Sequence, residues 1–272
     1  MRSPWLVVVF AAAPSCAGTT GYDLVTFHAA AQGPSDAVAG QPYAFDVDGA
    51  HVVLTKAVLH VGALYLTQSV PTSGGGPMSC TLPGTYAGVF VGQVRGGADV
   101  DMLDPSLQPL SVLGDGSTIP AATGQVWLTY GNVTAPSDSG PAQPILTIEG
   151  TVDTGAGSRS FSGRIWIDDS WRPNPPPSNL PGEDQICLDR IVSGIPVDFT
   201  LAEGGTLVLR LQPKGLFARV DFAGLPTTGC DPRMPADLCF VNDPTSSPSF
   251  ALFTNLKVHG AIYGFEWRPT AP

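Results

Sequence analysis

Basic side chains are scarce in this sequence. Lysine and arginine number 13 in 272 residues, against 23 aspartates and glutamates, for a formal net charge of −10. Lys and Arg nowhere cluster, so a phosphate backbone meets a repelling surface, and nucleic acid is excluded as a partner. Charge of either sign is low, at 13% beside 43% hydrophobic residues, a balance that excludes a globally disordered chain. Long apolar runs are absent. The unbroken run at residues 5–13 falls far short of the roughly 18 that a membrane-spanning helix needs. The five cysteines contain no C-x-x-C spacing, which argues against a four-thiolate zinc site. G-x-S-x-G, H-E-x-x-H and the P-loop are missing too. No reaction is written in these residues, and binding is expected rather than catalysis. No amphipathic segment of helical length stands out.

What is present points first to export. One positive side chain, Arg2, precedes the apolar run, and small residues follow it up to Cys16. That is the layout of a secretory signal. The stretch Ala13-Pro14-Ser15-Cys16 resembles the lipobox of bacterial lipoproteins, with Pro14 as a departure from it. The expected organisation is a signal peptide over 1–15, a lipid-anchor leader over 16–21 beginning at a lipidated Cys16, and one domain over 22–272. The membrane is then a partner through the anchor, and the chain belongs to the cell envelope, periplasmic or outer-membrane. Ala17, where an Asp would retain a lipoprotein inside, resembles the outer-membrane signal. Plain secretion with a nearby cut is the alternative. With Cys16 lipidated, Cys80, Cys187, Cys230 and Cys239 remain, an even set suited to two disulfides in an oxidising compartment. Four cysteines allow three pairings. Cys230 and Cys239 bracket a short Pro-rich loop and form the natural local pair, which leaves Cys80 with Cys187.

The rest of the chain reads as strands punctuated by turns. There are 32 glycines and 27 prolines without a period, as in an all-β protein. Alternating or apolar runs at 22–28, 51–66, 86–94, 125–130, 145–152, 160–167, 195–201, 206–211, 216–222 and 258–267 are the expected strands. The run at 51–66 is one long bent strand or two, with Gly62 marking a bulge. Residues 153–158 form a hairpin turn, and 213–215 another turn. The expected architecture is a single all-β sandwich, immunoglobulin- or jelly-roll-like and disulfide-stapled, with a partly open barrel as the alternative. Two long Pro-rich loops, 170–185 and 224–249, decorate it.

Four histidines are the candidate metal ligands. His28, His51, His60 and His259 all fall in strand-like runs, and imidazole on a rigid strand suits copper or zinc. Met78 or Met102 could assist with copper. Alternation puts His51 and His60 on opposite faces unless a bulge intervenes. Asp46 and Asp48 do not make a complete calcium loop, because Ala50, Val52 and Val53 stand where further oxygen ligands belong. They, like Asp99, Asp101 and Asp104, read as turn acids, so calcium is less favoured than copper. Trp171, with Arg172 beside it, is the candidate exposed ring for a glycan or protein partner.

The order of features resembles the MbnP-like, methanobactin-associated partner family. Phe27-His28-Ala29 comes early, V-x-L-T-x-A and L-Y-L lie in residues 52–66, and L-R-L followed by F-x-x-V-D-F in residues 209–222. The resemblance implies a periplasmic, β-rich protein linked to copper. It maps no metal ligand residue by residue. The alanine- and glycine-rich style with an irregular lipobox also resembles lipoproteins of predatory soil bacteria. An exported, lipid-anchored binding protein, with copper as its metal, is the function expected. The alternative is a cell-surface carbohydrate- or protein-interaction module that uses the long loops.

Overall fold

A computed structural model describes residues 22–69, 89–130, 143–171 and 189–270, the side chains of Asp169 and His259 excepted. The described residues form thirteen strands. They are β1 (Leu24–Gln32), β2 (Tyr43–Val47), β3 (Ala50–Thr67), β4 (Phe90–Asp101), β5 (Gln108–Pro109), β6 (Gly114–Ser117), β7 (Pro120–Trp127), β8 (Leu146–Asp153), β9 (Ser158–Ile165), β10 (Ile191–Thr200), β11 (Thr206–Leu211), β12 (Leu238–Phe240) and β13 (Tyr263–Arg268). Alternation builds the sheet: Leu146, Ile148, Gly150 and Val152 of β8 are buried while their neighbours are half exposed. A strand with a period of two presents one face to a core.

The strands make one large sheet that does not close on itself, in a mostly β chain. β3 is its spine. The first half pairs with β2 and β8, the second with β4 and β7. Its register against β4 shifts between Val61 and Ala63, so Gly62 marks the bulge as expected. A Cβ on Gly62 would lie 2.1 Å from the Thr129 carbonyl oxygen, an approach only glycine permits. From β3 the sheet runs through β4, β6, β1 and β11 to β13 on one side, and through β7 to β10 on the other. β1 pairs in parallel with β11, far away in sequence, in the register His28 to Thr206. β10 and β13 end up side by side with no ladder between them.

The core is one apolar cluster running from Phe27 and Leu207 through Leu54 and Leu59 to Phe161 and Phe217. Phe161, Phe217, Phe222 and Phe240 pack ring to ring, with centroids 5.8–6.3 Å apart. That is the separation at which aromatic edges and faces attract. Ala63, Tyr65 and Trp127 form a small second cluster.

Several expectations need correction. Residues 216–222 are not a strand: 3-10 turns at Pro213–Phe217 and Phe222–Gly224 flank Arg219, whose φ is 59°. Pro213 starts the first turn, and burial of Phe217 and Phe222 outweighs the strand pattern. The expected loop 224–249 contains β12 and runs into a helix, α1 (Ser247–Leu256). Its buried Ser249, Leu252, Phe253 and Leu256 follow the i, i+3, i+4, i+7 spacing of a helix face. A short α2 (His259–Ile262) follows, so His259 begins a helical turn rather than sitting on a strand. The 153–158 hairpin is present, with Gly155 and Gly157 at positive φ. Unforeseen β2 joins β3 through Asp48 and Gly49, both at positive φ, the Asp-Gly signal of a tight hairpin.

Candidate functional site

His60 sits on β3 directly opposite Asp99 on β4. Its backbone N–H donates to the Ile145 carbonyl at 2.8 Å, so the strand is pinned from the other side as well. Nδ1 of the imidazole lies 2.6 Å from Asp99 Oδ1. A carboxylate only accepts, which assigns a proton to Nδ1 and leaves the Nε2 lone pair of the neutral ring available. Only 10% of the His60 side chain is exposed, against 60% for Asp99. The Tyr130 ring stacks on the imidazole, centroids 3.5 Å apart and 15° from parallel. The Tyr130 hydroxyl donates to the Pro144 carbonyl at 2.9 Å. Burial pushes the Tyr130 phenol up to about 12; the nearby Asp99 carboxylate adds to this and Arg164 opposes it. Gly97 packs so closely on the ring that a Cβ there would come within 3.0 Å of Nε2 and 3.1 Å of Cε1, an approach that glycine permits. The imidazole is therefore oriented by a carboxylate and packed against an aromatic face and a glycine.

The other histidines are arranged differently. His28 is exposed on β1. His51 is exposed on β3 and its Nδ1 lies 2.8 Å from Asp46 Oδ1. Among the described residues no three His, Cys, Asp or Glu side chains come together as a metal cluster. His51 has the same kind of carboxylate contact as His60, on an exposed side chain. Met102 lies fully buried in the apolar core. Asp101 and Asp104 accept backbone N–H groups of Leu103 and Ser106 two residues on, as turn acids do.

Trp171 is corrected outright. It is 3% exposed, stacks on Phe253 of α1 at 4.2 Å and donates from Nε1 to the Trp166 carbonyl at 2.7 Å. The unforeseen helix covers the ring that was expected to face a partner. Trp166 is half exposed, with the Arg164 guanidinium 5.1 Å over its ring. Arg164 and Arg233 both pair with Asp231, at 3.0 and 2.9 Å. These hydrogen bonds hold the Asp231 carboxyl well below the usual range. Beside them, Trp166, Met234, Phe240 and Asn242 help line a cavity of about 150 Å³. The Cys230–Cys239 disulfide closes the loop over it, Cα atoms 5.2 Å apart, as the spacing led one to expect. Cys16, Met78, Cys80, Arg172 and Cys187 lie outside the described residues.

No protein-family model matches the chain, and no curated protein sequence does. Among solved structures there is a weak likeness to MbnP from Methylosinus trichosporium. It has 14% sequence identity and a TM-score of 0.30, covering 72% of this chain and 78% of that one.

Proposed function

We propose that this chain is an exported, lipid-anchored binding protein that holds one transition-metal ion, copper foremost, on Nε2 of His60. The observation that carries the reading is the Asp99–His60 pair. Histidine ligands in metal sites donate their second ring nitrogen to a carboxylate or carbonyl, which fixes the tautomer and raises the basicity of the coordinating atom. Here that second contact is made within the protein's own sheet, and Nε2 is the ring nitrogen it leaves unengaged. Imidazole suits copper, zinc, iron and nickel, and copper heads the affinity order of the divalent series. One protein donor leaves the remaining positions to water or to small donors that arrive with the metal. Export is supported by the charged start, the short apolar run and Cys16 at the N-terminus, and by a disulfide of the kind an oxidising compartment maintains.

The test is a copper titration of the mature protein purified without chelators, with metal content measured after gel filtration. The expected result is about one copper per chain, lost in His60→Ala and retained in His28→Ala and His51→Ala. Undiminished copper in His60→Ala would overturn the reading. Asp99→Asn is expected to weaken binding by about 10- to 100-fold.

A further inference from the structure

The open seam of the sheet, between β10 and β13, carries a second site. A shallow recess of about 470 Å³ lies there, lined by Pro196, Val197, Asp198 and Phe199 of β10 and Phe265, Glu266 and Trp267 of β13. Three aromatic rings, each half buried, form its wall. Trp267 lies on Gly205, where a Cβ would come within 2.2 Å of the indole. Phe27 meets it edge-on, at 5.8 Å and 78°. Phe199 lies alongside it, nearly parallel at 22° with centroids 6.1 Å apart. Phe265 lies on Gly124 in the same way, a Cβ there coming within 2.3 Å of its ring. Two glycines thus seat two rings, and the aromatic wall is set before any ligand arrives.

The polar part of the lining is acidic. Glu266 is held by Arg268 at 2.7 Å and by Arg210 at 3.5 Å, which orients its carboxylate and leaves it ionised. Asp198 is exposed and has no hydrogen-bond partner among the described residues. No lysine or arginine belongs to the lining. Glu266 is compensated by its two arginines, so Asp198 is the unpaired charge here, in a chain whose net charge of −10 disfavours anions. A neutral ligand with an apolar face and outward hydroxyls is complementary to rings beside a carboxylate acceptor. A pyranose has that build: axial C–H bonds for the ring faces and O–H donors for Asp198.

We propose that the β10–β13 seam binds a neutral polysaccharide, independently of the metal reading at His60. The site has moved from the long Pro-rich loop, where the sequence suggested a glycan contact, to a preorganised wall on the sheet. Two strands that lie side by side without pairing leave room for such a wall, and half-buried rings beside an unpaired carboxylate give it chemistry.

The experiment is affinity electrophoresis of the mature chain through gels containing xylan, mannan, hydroxyethylcellulose, laminarin or pullulan, followed by titration calorimetry on the one that retards it. Retardation by at least one of them, insensitive to salt, is expected. Phe199→Ala should weaken binding about tenfold. Asp198→Asn, at an exposed position where the fold is not at stake, should weaken it as well, with an unchanged melting temperature. Retardation in none of the gels would overturn the proposal, as would retardation that both variants leave intact. Salt-sensitive binding of oligolysine without any polysaccharide binding would overturn it too and make the seam a site for cationic peptides.

Discussion

At the residue scale, the chain shows where polar groups are satisfied and where one is not. Thr123 Oγ1 is the buried side-chain oxygen without a hydrogen-bond partner among the described residues. Its strand position pairs with Pro196. A buried orphan costs about 1–3 kcal/mol, and an apolar group of the same shape removes that cost. Thr123→Val is therefore expected to raise stability by about 1 kcal/mol, read as a higher urea midpoint. Two tyrosines make the opposite kind of case. Burial pushes Tyr65 up to about 12 from 10.0, with Asp115 adding and Arg95 opposing; Tyr130 is pushed up to about 12 as well. In the folded chain both hold their protons where the unfolded chain has lost them. Their contribution is complete below pH 10.0 and is lost as the pH rises through about 12. The urea midpoint should fall between about pH 9 and pH 12, and the slope should flatten in Tyr65→Phe and Tyr130→Phe.

At the element scale, β3 is the strand on which the rest depends. Eighteen residues long, it belongs to both halves of the sheet because its register shifts at Gly62. That shift brings His60 opposite Asp99 just before the bulge and lets Ala63 to Thr67 pair with both β4 and β7. Gly62→Ala forces a methyl group against a backbone carbonyl that cannot move without breaking the strand end. Such overpacking costs about 2 kcal/mol or more. A drop of that size in unfolding free energy is expected from denaturant titration, together with weaker copper binding, since the same bulge orients the His60 segment. A melting curve identical to wild type would show that β3 can slide at this point. α1 has an equally specific task. It supplies Phe253 to stack on Trp171 and buries Leu252 and Leu256 in the core.

At the scale of the whole molecule, the order of strands ties the two ends of the chain together. β1 lies between β6 and β11, and β11 lies between β1 and β13. The chain cannot complete its core until residues beyond 260 have arrived. Removing residues 263–272 takes away Tyr263, Phe265 and Trp267, and uncovers Leu207, Leu209 and Leu211, which are buried. It also bares the β11 edge, a template for pairing with other chains. The truncated chain is expected to elute in the void volume on gel filtration and to lose cooperative thermal unfolding. A monodisperse, cooperatively melting product would show that β13 is an addition to the core rather than part of it. The same topology dominated by distant pairings predicts slow refolding for a domain of this size.

The sequence by itself determined the β character, most of the strands, the Gly62 bulge, the 153–158 hairpin and the local pair Cys230–Cys239. Those features follow from short-range rules: a period of two, glycine where the backbone is crowded, and cysteines close enough along the chain to meet. The order of strands in the sheet, the turns at 213–224, the helix α1 and the burial of Trp171 were decided by the tertiary structure. At 216–222 the strand pattern lost to the burial of Phe217 and Phe222 in an aromatic cluster assembled from separate segments. Trp171 looked free beside a Pro-rich loop because Phe253, its cover, lies 82 residues further on. The candidate site divides the same way. Histidine on a strand was legible. That His60 is buried against Asp99, Gly97 and the Tyr130 ring was not, because these reach it only through the pairing of β3 with β4 and the fold around them.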